Sequence, residues 1–143
     1  MMTRQQILDE ARSWIDVKFR HQGRDRAFGV DCGGLIIRVC HALHYYEDFD
    51  VTGYNRWPDG TSLDTMLDDH FDRAPRSKLA PGDIVLCADL KTPCHVGFVG
   101  DKGPTADDPF SIIHAWLAVR KVTENPLNIM KVLRCWRFRG VVG

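Results

Sequence analysis

The chain has 143 residues, which fits a single domain spanning residues 1–143. Hydrophobic residues make up 44% of it and charged residues 27%, fractions that exclude a largely disordered chain. The 19 basic residues balance the 19 acidic ones, so the chain lacks the overall positive charge of a nucleic-acid-binding protein.

Neither a membrane span nor a leader peptide is predicted. The longest apolar stretches, such as 84–88, are far shorter than the roughly 20 residues of a spanning helix. Residues 1–6 are mostly polar and lead into an amphipathic pattern, not into the apolar segment of a signal peptide. We therefore expect synthesis in the cytoplasm and no membrane insertion.

The first half of the chain has helical patterning. Helices are predicted where apolar residues recur every three or four positions: 3–15, 31–45 and 61–71. Thr3 and Asp31 are suited to the N-cap positions of the first two helices. Glycine and polar residues in 17–30 predict a loop, and Pro-Asp-Gly within 55–60 predicts a turn.

The second half changes to strand patterning. Strands are predicted at 83–89, 95–100, 110–119 and 132–139. A turn at 81–83 precedes the first of them, a loop at 103–109 separates the second and third, and a turn around Asn125-Pro126 precedes the last. Helices followed by strands indicate an α+β fold, with a central antiparallel sheet packed against helices.

The segment Asp31-Cys32-Gly33-Gly34-Leu35 is the strongest candidate for a chemical site. It places a cysteine at the first position of an apolar helix, where backbone N–H groups stabilise an anion. Such positions lower a cysteine pKa from about 8.5 into the range of about 3.5–7.5 and favour the nucleophilic thiolate. The two glycines indicate a close approach to the backbone, either by a substrate or by a helix–sheet contact that needs no side chain.

Two of the six histidines are candidates for a catalytic base. His95 and His114 each lie within an apolar strand, whereas the other four lie in predicted loops or helices. A nucleophilic cysteine works with a base that a third residue orients, and the two histidines could fill those positions. Gly97 would share a strand face with His95 and leave room for substrate. The alternative is that both histidines are buried structural residues.

The five cysteines contain no C-x-x-C pair, and we expect all of them to be thiols. A metal site formed by Cys94, His95 and His114 is an alternative function. Adjacent strand residues point to opposite faces, which disfavours joint ligation by the first two. We therefore expect neither a metal nor a cofactor.

Seven segments in order along the chain resemble the NlpC-type cell-wall peptidases. They are Ala11-Arg12-Ser13-Trp14-Ile15, Phe19-Arg20-His21-Gln22-Gly23-Arg24, Asp31-Cys32-Gly33-Gly34-Leu35, Pro81-Gly82-Asp83-Ile84-Val85, His95-Val96-Gly97, Ile113-His114-Ala115 and Trp136-Arg137-Phe138. That family consists of papain-like cysteine peptidases that cut peptidoglycan peptides. The chain is most similar to the small peptidases encoded among the tail genes of phages and gene transfer agents.

The resemblance implies a papain-like fold with the nucleophile at the N-terminus of a packed helix. It implies Cys32 as nucleophile, His95 as general base and His114 as the third polar residue. The implied reaction is hydrolysis of the bond between γ-linked D-glutamate and a diamino acid, by acyl transfer to Cys32 and then to water. The substrate-binding positions would be Phe19, Asp31, Gly33 and Gly97. Of these, Phe19 stands where the family usually has tyrosine, and Gly33 where it commonly has serine.

Two further alternatives remain on the same fold. One is a catalytically weakened structural or wall-binding component of a phage tail, which the phenylalanine at position 19 favours. The other is an amidase or acyltransferase that shares the cysteine chemistry. The implied partners are a peptidoglycan stem peptide and other phage tail proteins, and the implied site of action is a virion or tail particle on the cell wall.

Overall fold

The computed structural model of the protein describes residues 1–50, 61–88 and 95–143. The helices are α1 (Arg4–Arg12), α2 (Cys32–Ala42) and α3 (Thr61–His70). The strands are β1 (Arg24–Asp25), β2 (Gly29–Val30), β3 (Asp72–Ala74), β4 (Ile84–Ala88), β5 (His95–Gly100), β6 (Ser111–Trp116), β7 (Lys121–Pro126) and β8 (Lys131–Arg137). The turn predicted at 55–60 and the cysteine at position 94 lie outside the described residues.

Local sequence signals define where the first two helices begin. The Thr3 hydroxyl accepts a hydrogen bond from the Gln6 backbone N–H at 3.1 Å, and the Gln6 side chain accepts one from the Thr3 N–H at 2.8 Å. This reciprocal pair satisfies two N–H groups that a helix start leaves without partners. Asp31 caps α2 in a similar way, as its sequence position predicts.

Six strands form one antiparallel sheet in the order β3-β8-β4-β5-β6-β7. Helix α2 packs mainly against β5 and β6, and α1 packs against α2. The predicted α+β architecture, with a central antiparallel sheet and a packed helix that begins at Cys32, is therefore confirmed.

Two predictions of secondary structure are wrong in part. Residues 17–30 are not entirely loop, because β1 and β2 pair there as a short hairpin. Residues 121–126 form β7, where the sequence predicts only a turn around Asn125-Pro126. This strand lies at the sheet edge, where polar residues and a terminal proline are tolerated, so its sequence lacks the apolar signal of an inner strand.

The two faces of the sheet bury different clusters. Val96 and Phe98 of β5 lie on the face covered by α1 and α2 and belong to the main core. Val99 of β5 and Ile112 of β6 belong to a smaller cluster on the other face.

A buried carboxylate connects both ends of the chain to the sheet. Asp83, which precedes β4, is fully buried and bonds to Arg137 at 2.8 and 2.9 Å and to Arg4 at 3.2 Å. The backbone N–H of Arg4 also donates to the Val142 carbonyl at 3.1 Å, and the Val142 N–H donates to the Met2 carbonyl at 3.1 Å. Residues 2–4 and 142 are thus paired side by side.

Within the ranges described, none of the helices combines the length and the apolar character needed to cross a membrane.

Candidate active site

Cys32 is the first residue of α2, and Asp31 holds the start of that helix. The Asp31 Oδ1 atom accepts a hydrogen bond from the Gly34 backbone N–H at 2.8 Å. Cys32 is 8% exposed, which makes it the most accessible of the four cysteines in the described ranges. The other three, Cys40, Cys87 and Cys135, are buried, and none of the four forms a disulfide with another described residue.

The Asp31 carboxylate also fixes the loop that precedes α2. Its Oδ2 atom accepts from the Gln22 backbone N–H at 2.7 Å, and its Oδ1 atom accepts from Arg24 at 3.3 Å. Asp31 is buried, and its bonds to Gln22, Arg24 and Gly34 hold the loop against the start of α2. A direct contact with substrate stays a prediction.

The glycine pair at the helix start is explained in part by this packing. A Cβ atom on Gly34 would lie 2.4 Å from the Gly23 carbonyl oxygen and 2.7 Å from an Arg24 guanidinium nitrogen. Gly34 therefore permits a close contact between α2 and the segment that precedes it, and this contact differs from the helix–sheet contact that the sequence offered as an alternative. Gly33 is buried beside Cys32, and its contact with substrate stays a prediction.

The prediction of a lowered pKa for the Cys32 thiol is wrong. Burial and the nearby Asp31 carboxylate raise the pKa of the thiol to about 12, because both disfavour thiolate. Hydrogen bonds from the backbone N–H groups of Val96, Gly33 and Cys32 itself oppose this rise only in part. A thiolate at neutral pH therefore needs a nearby proton acceptor, and the Val96 contact places the sulfur beside the residue that follows His95.

The two histidines predicted from the strands are in contact. His95 Nε2 lies 2.5 Å from His114 Nδ1, and both residues are buried. The pairing of β5 with β6 runs from Phe98–Ile113 to Gly100–Ser111, so both histidines lie just beyond it. A Cβ atom on Gly97 would lie 2.7 Å from Ile112 and 3.0 Å from the His114 Cβ. Gly97 makes space for the neighbouring strand, and room for substrate stays a prediction.

A fourth polar residue extends this arrangement. His114 Nε2 lies 2.9 Å from Asn125 Oδ1, and the His114 ring stacks on Trp116 with centroids 5.2 Å apart. A carboxamide oxygen only accepts, so His114 carries its proton on Nε2 and accepts at Nδ1 from His95. His95 then carries its proton on Nε2, which leaves Nδ1 as the basic nitrogen of its ring.

Sequence reasoning missed Asn125 because it assigned this residue to a turn. The signal that could have identified it is the pair of β-branched residues Val122-Thr123, which favours a strand. In the sheet, Thr123 pairs with His114 and Asn125 pairs with Ile112, so Asn125 is a near neighbour across the strands.

Phe19 is one of the residues that line a cavity beside this site. Its ring is half-buried against the main core, and residue 19 forms an isolated bridge with Val30, two residues before Cys32. The structure thus brings Phe19, Asp31, Cys32 and Gly33 to one region.

Of the alternative metal set, Cys94 lies outside the described residues. Over 1–50, 61–88 and 95–143, no group of three or more His, Cys, Asp or Glu side chains is arranged to hold a metal ion.

Comparisons with known proteins show what this fold is similar to. No protein-family pattern matches the chain, and no curated protein sequence matches it. Among solved structures, the NlpC/p60 domain of the peptidoglycan hydrolase SagA superposes with a TM-score of 0.65 at 18% identity, over 96% of this chain and 100% of that one.

Two other solved structures have a similar fold. NlpC2 from Trichomonas vaginalis has a TM-score of 0.68 at 18% identity and covers 95% of this chain, which spans 46% of that protein. An N-acetylmuramoyl-L-alanine amidase from Bacteroides uniformis has a TM-score of 0.56 at 14% identity, covering 94% of this chain and 98% of its own. The chain therefore has the papain-like fold of NlpC/p60 domains.

Proposed function

We propose that this protein is a cysteine peptidase that hydrolyses peptidoglycan stem peptides at the D-γ-glutamyl–diamino acid bond. One observation carries the proposal: Cys32 lies at a helix start beside the strand that bears His95, and His95, His114 and Asn125 are linked by hydrogen bonds of 2.5 and 2.9 Å. The arrangement supplies a nucleophile, a base and two residues that orient the base.

In the first half of the reaction, the proton of the Cys32 thiol passes to Nδ1 of His95. The thiolate sulfur attacks the carbonyl carbon of the scissile amide and forms a tetrahedral intermediate. The Cys32 backbone N–H, at the start of α2, is the proposed donor to its oxyanion. His95 then returns its proton to the leaving nitrogen, the C–N bond breaks, and a thioester remains on the sulfur.

In the second half, water attacks the thioester carbonyl and gives its proton to His95. The C–S bond breaks, the acid product leaves, and the proton returns to the sulfur. His114 holds the His95 ring in one tautomer throughout and stabilises the imidazolium that forms in each half. Because burial and the Asp31 charge raise the pKa of the Cys32 thiol, this proton transfer supplies the thiolate at neutral pH.

The proposal is tested by incubating the purified protein with defined muropeptides and identifying products by mass spectrometry. We expect cleavage after the D-glutamyl residue by the wild type and none by Cys32→Ala. A folded wild-type protein that binds stem peptides without cleaving them would instead support a structural or wall-binding component.

The amidase alternative is favoured by the likeness to the Bacteroides uniformis amidase. The same products separate the two activities, because an amidase releases the intact stem peptide from the sugar. Formation of the intact peptide would replace our proposal with this one.

We further propose that the protein is made in the cytoplasm and acts within a phage or prophage tail particle, together with other tail proteins. This proposal is supported by the sequence resemblance to tail-gene peptidases. Mass spectrometry of purified particles should detect the protein at a fixed ratio to the tail components, and its absence from particles would contradict the proposal.

A further inference from the structure

A cavity of about 650 Å³ opens beside the candidate active site. Its walls come from two chain segments, the loop after α1 and the turn that joins β6 to β7. The Phe19 backbone N–H donates to the Arg120 carbonyl at 2.9 Å, which joins the two walls. The lining residues are Phe19, Arg20, His21, Leu117, Ala118 and Arg120.

Both walls continue directly into segments that hold the candidate catalytic residues. On one side, the Arg20 N–H donates to the Val30 carbonyl at 3.1 Å, two residues before Cys32. On the other side, Leu117 follows Trp116, whose ring stacks on His114. A substrate bound at Cys32 therefore has this cavity within reach of its neighbouring groups.

The two charged residues that line the cavity are both cationic. Its described lining contains two arginines and a histidine, and no carboxylate. Eight arginines elsewhere in the described ranges form ion pairs with carboxylates. Within those same ranges, Arg20 and Arg120 form none. No described carboxylate therefore competes with an anionic ligand for these two guanidinium groups.

We infer that this cavity is a carboxylate-binding subsite, in which Arg20 and Arg120 bind a free carboxylate of the stem peptide. The inference rests on the proposed function and adds the charge state of the substrate. A γ-linked glutamyl residue keeps its α-carboxylate free, and guanidinium groups bind carboxylates through paired, charge-assisted hydrogen bonds. The enzyme should therefore select stem peptides with a free α-carboxylate over those that carry an α-carboxamide.

The carboxylate could come from the glutamyl residue or from the diamino acid, and three substrates distinguish these sources. The first is L-alanyl-γ-D-glutamyl-meso-diaminopimelate, the second has an α-carboxamide on the glutamyl residue, and the third has lysine as the diamino acid. All three carry an amidated C-terminus, so only the carboxylate under test differs.

We expect kcat/KM for the first and third substrates to exceed that for the carboxamide by about tenfold or more, as for a lost hydrogen bond to a charged group. In the double variant Arg20→Gln/Arg120→Gln the ratio should fall toward one, through slower cleavage of the carboxylate substrates. Arg38→Gln is the matched control, because Arg38 is exposed on α2 and does not line the cavity; it should keep the preference.

A binding measurement separates failure of this inference from failure of the proposed function. Calorimetry with the Cys32→Ala protein compares the first two substrates, which differ only in the glutamyl α-carboxylate, and needs no turnover. Tighter binding of the acid, lost in the double arginine variant, supports the subsite even if no substrate is cleaved. Three results would overturn the assignment to the glutamyl carboxylate. They are equal binding of the acid and the carboxamide, equal cleavage of both, and selection that follows the side-chain carboxylate of the diamino acid.

Discussion

The Nε2 atom of His114 lies 2.9 Å from the Oδ1 atom of Asn125. Because this contact sets which nitrogen of each histidine carries a proton, we expect Asn125→Ala to lower kcat by about tenfold. Asn125→Asp should retain most activity, since a carboxylate oxygen also accepts. Asn128→Ala, an exposed asparagine three residues further on, is the control.

A structural role for Asn125 would give a different result. In that case Asn125→Asp would be as impaired as Asn125→Ala, and kcat would follow the loss of thermal stability. If Asn125→Asp keeps the kcat that Asn125→Ala loses, and the Tm is unchanged, Asn125 is a positioning residue.

His95 and His114 should differ in how much activity depends on them. We expect His95→Ala to abolish turnover, since loss of a general base costs about 10²–10⁴ in rate. His114→Ala should leave measurable activity, because His114 orients His95 and does not itself transfer the proton to substrate. Steady-state rates on a defined muropeptide, with circular dichroism as a folding control, test both. Near-normal turnover by a folded His95→Ala protein would refute the assignment.

Reaction of Cys32 with iodoacetamide should depend on His95. At neutral pH we expect alkylation of Cys32 before Cys40, Cys87 and Cys135, since it is the most exposed of these four. In His95→Ala the thiol should keep its raised pKa of about 12, so its alkylation rate should be low at pH 7 and rise by about tenfold per pH unit through pH 10.

The rate is followed by peptide mass spectrometry across pH 6–10. A plateau near pH 7 in His95→Ala would mean that the helix start alone generates the thiolate, which contradicts the paired mechanism.

Phe19→Tyr should preserve or increase activity. The Phe19 ring lines the cavity beside the site and is only half-buried, so a hydroxyl at its para carbon has room to face substrate. The rate on a muropeptide and the Tm are measured together. If both fall sharply, the added hydroxyl is buried without a partner, which costs about 1–3 kcal/mol, and the placement of Phe19 at the substrate site is wrong.

The ion pair between Arg12 and Glu124 should make stability depend on pH. Burial opposes ionisation of Glu124, but hydrogen bonds from Arg12 at 2.9 and 3.0 Å and from Ser111 at 2.6 Å lower its pKa below the ordinary value of 4.5. A lowered folded-state pKa stabilises the fold above the unfolded pKa, and this stabilisation is lost as the pH falls through the folded value.

We therefore expect Glu124→Gln to lower Tm at pH 7 by roughly 5–10 °C, as for the loss of hydrogen bonds to a charged group. The difference from wild type should shrink as the pH falls below about 4.5. Glu47→Gln changes an exposed glutamate and should leave Tm nearly unchanged. A Tm difference that is the same at pH 3 and pH 7 would show that the ionised carboxylate is not what stabilises β7.

The parts of the site that depend on local chemistry could be predicted from the sequence. Capping by Asp31 and the apolar face that follows it define the helix start, and with it the place of Cys32. The contact between His95 and His114 depends on strand register over 19 residues, so the residues alone suggested two candidates without bringing them together. The family resemblance supplied that step.

Two features were missed: the local pattern gives only a weak signal for the first, and tertiary packing overrides the local pattern for the second. Asn125 lies in an edge strand of mixed polarity, where periodicity gives little signal. The pKa of Cys32 depends on burial against β5 and on the Asp31 charge, and neither is visible in the helix-start pattern that predicts a lower value.

The pairing of residues 2–4 with Val142 has a consequence for how this domain can be attached to other proteins. Polypeptides fused before residue 1 and after residue 143 would leave the surface of the domain at nearly the same place. The domain could therefore be inserted into a surface loop of a host protein without separating the two sides of that loop. For the same reason, a short linker from residue 143 to residue 1 should close the chain into a ring with the sheet intact.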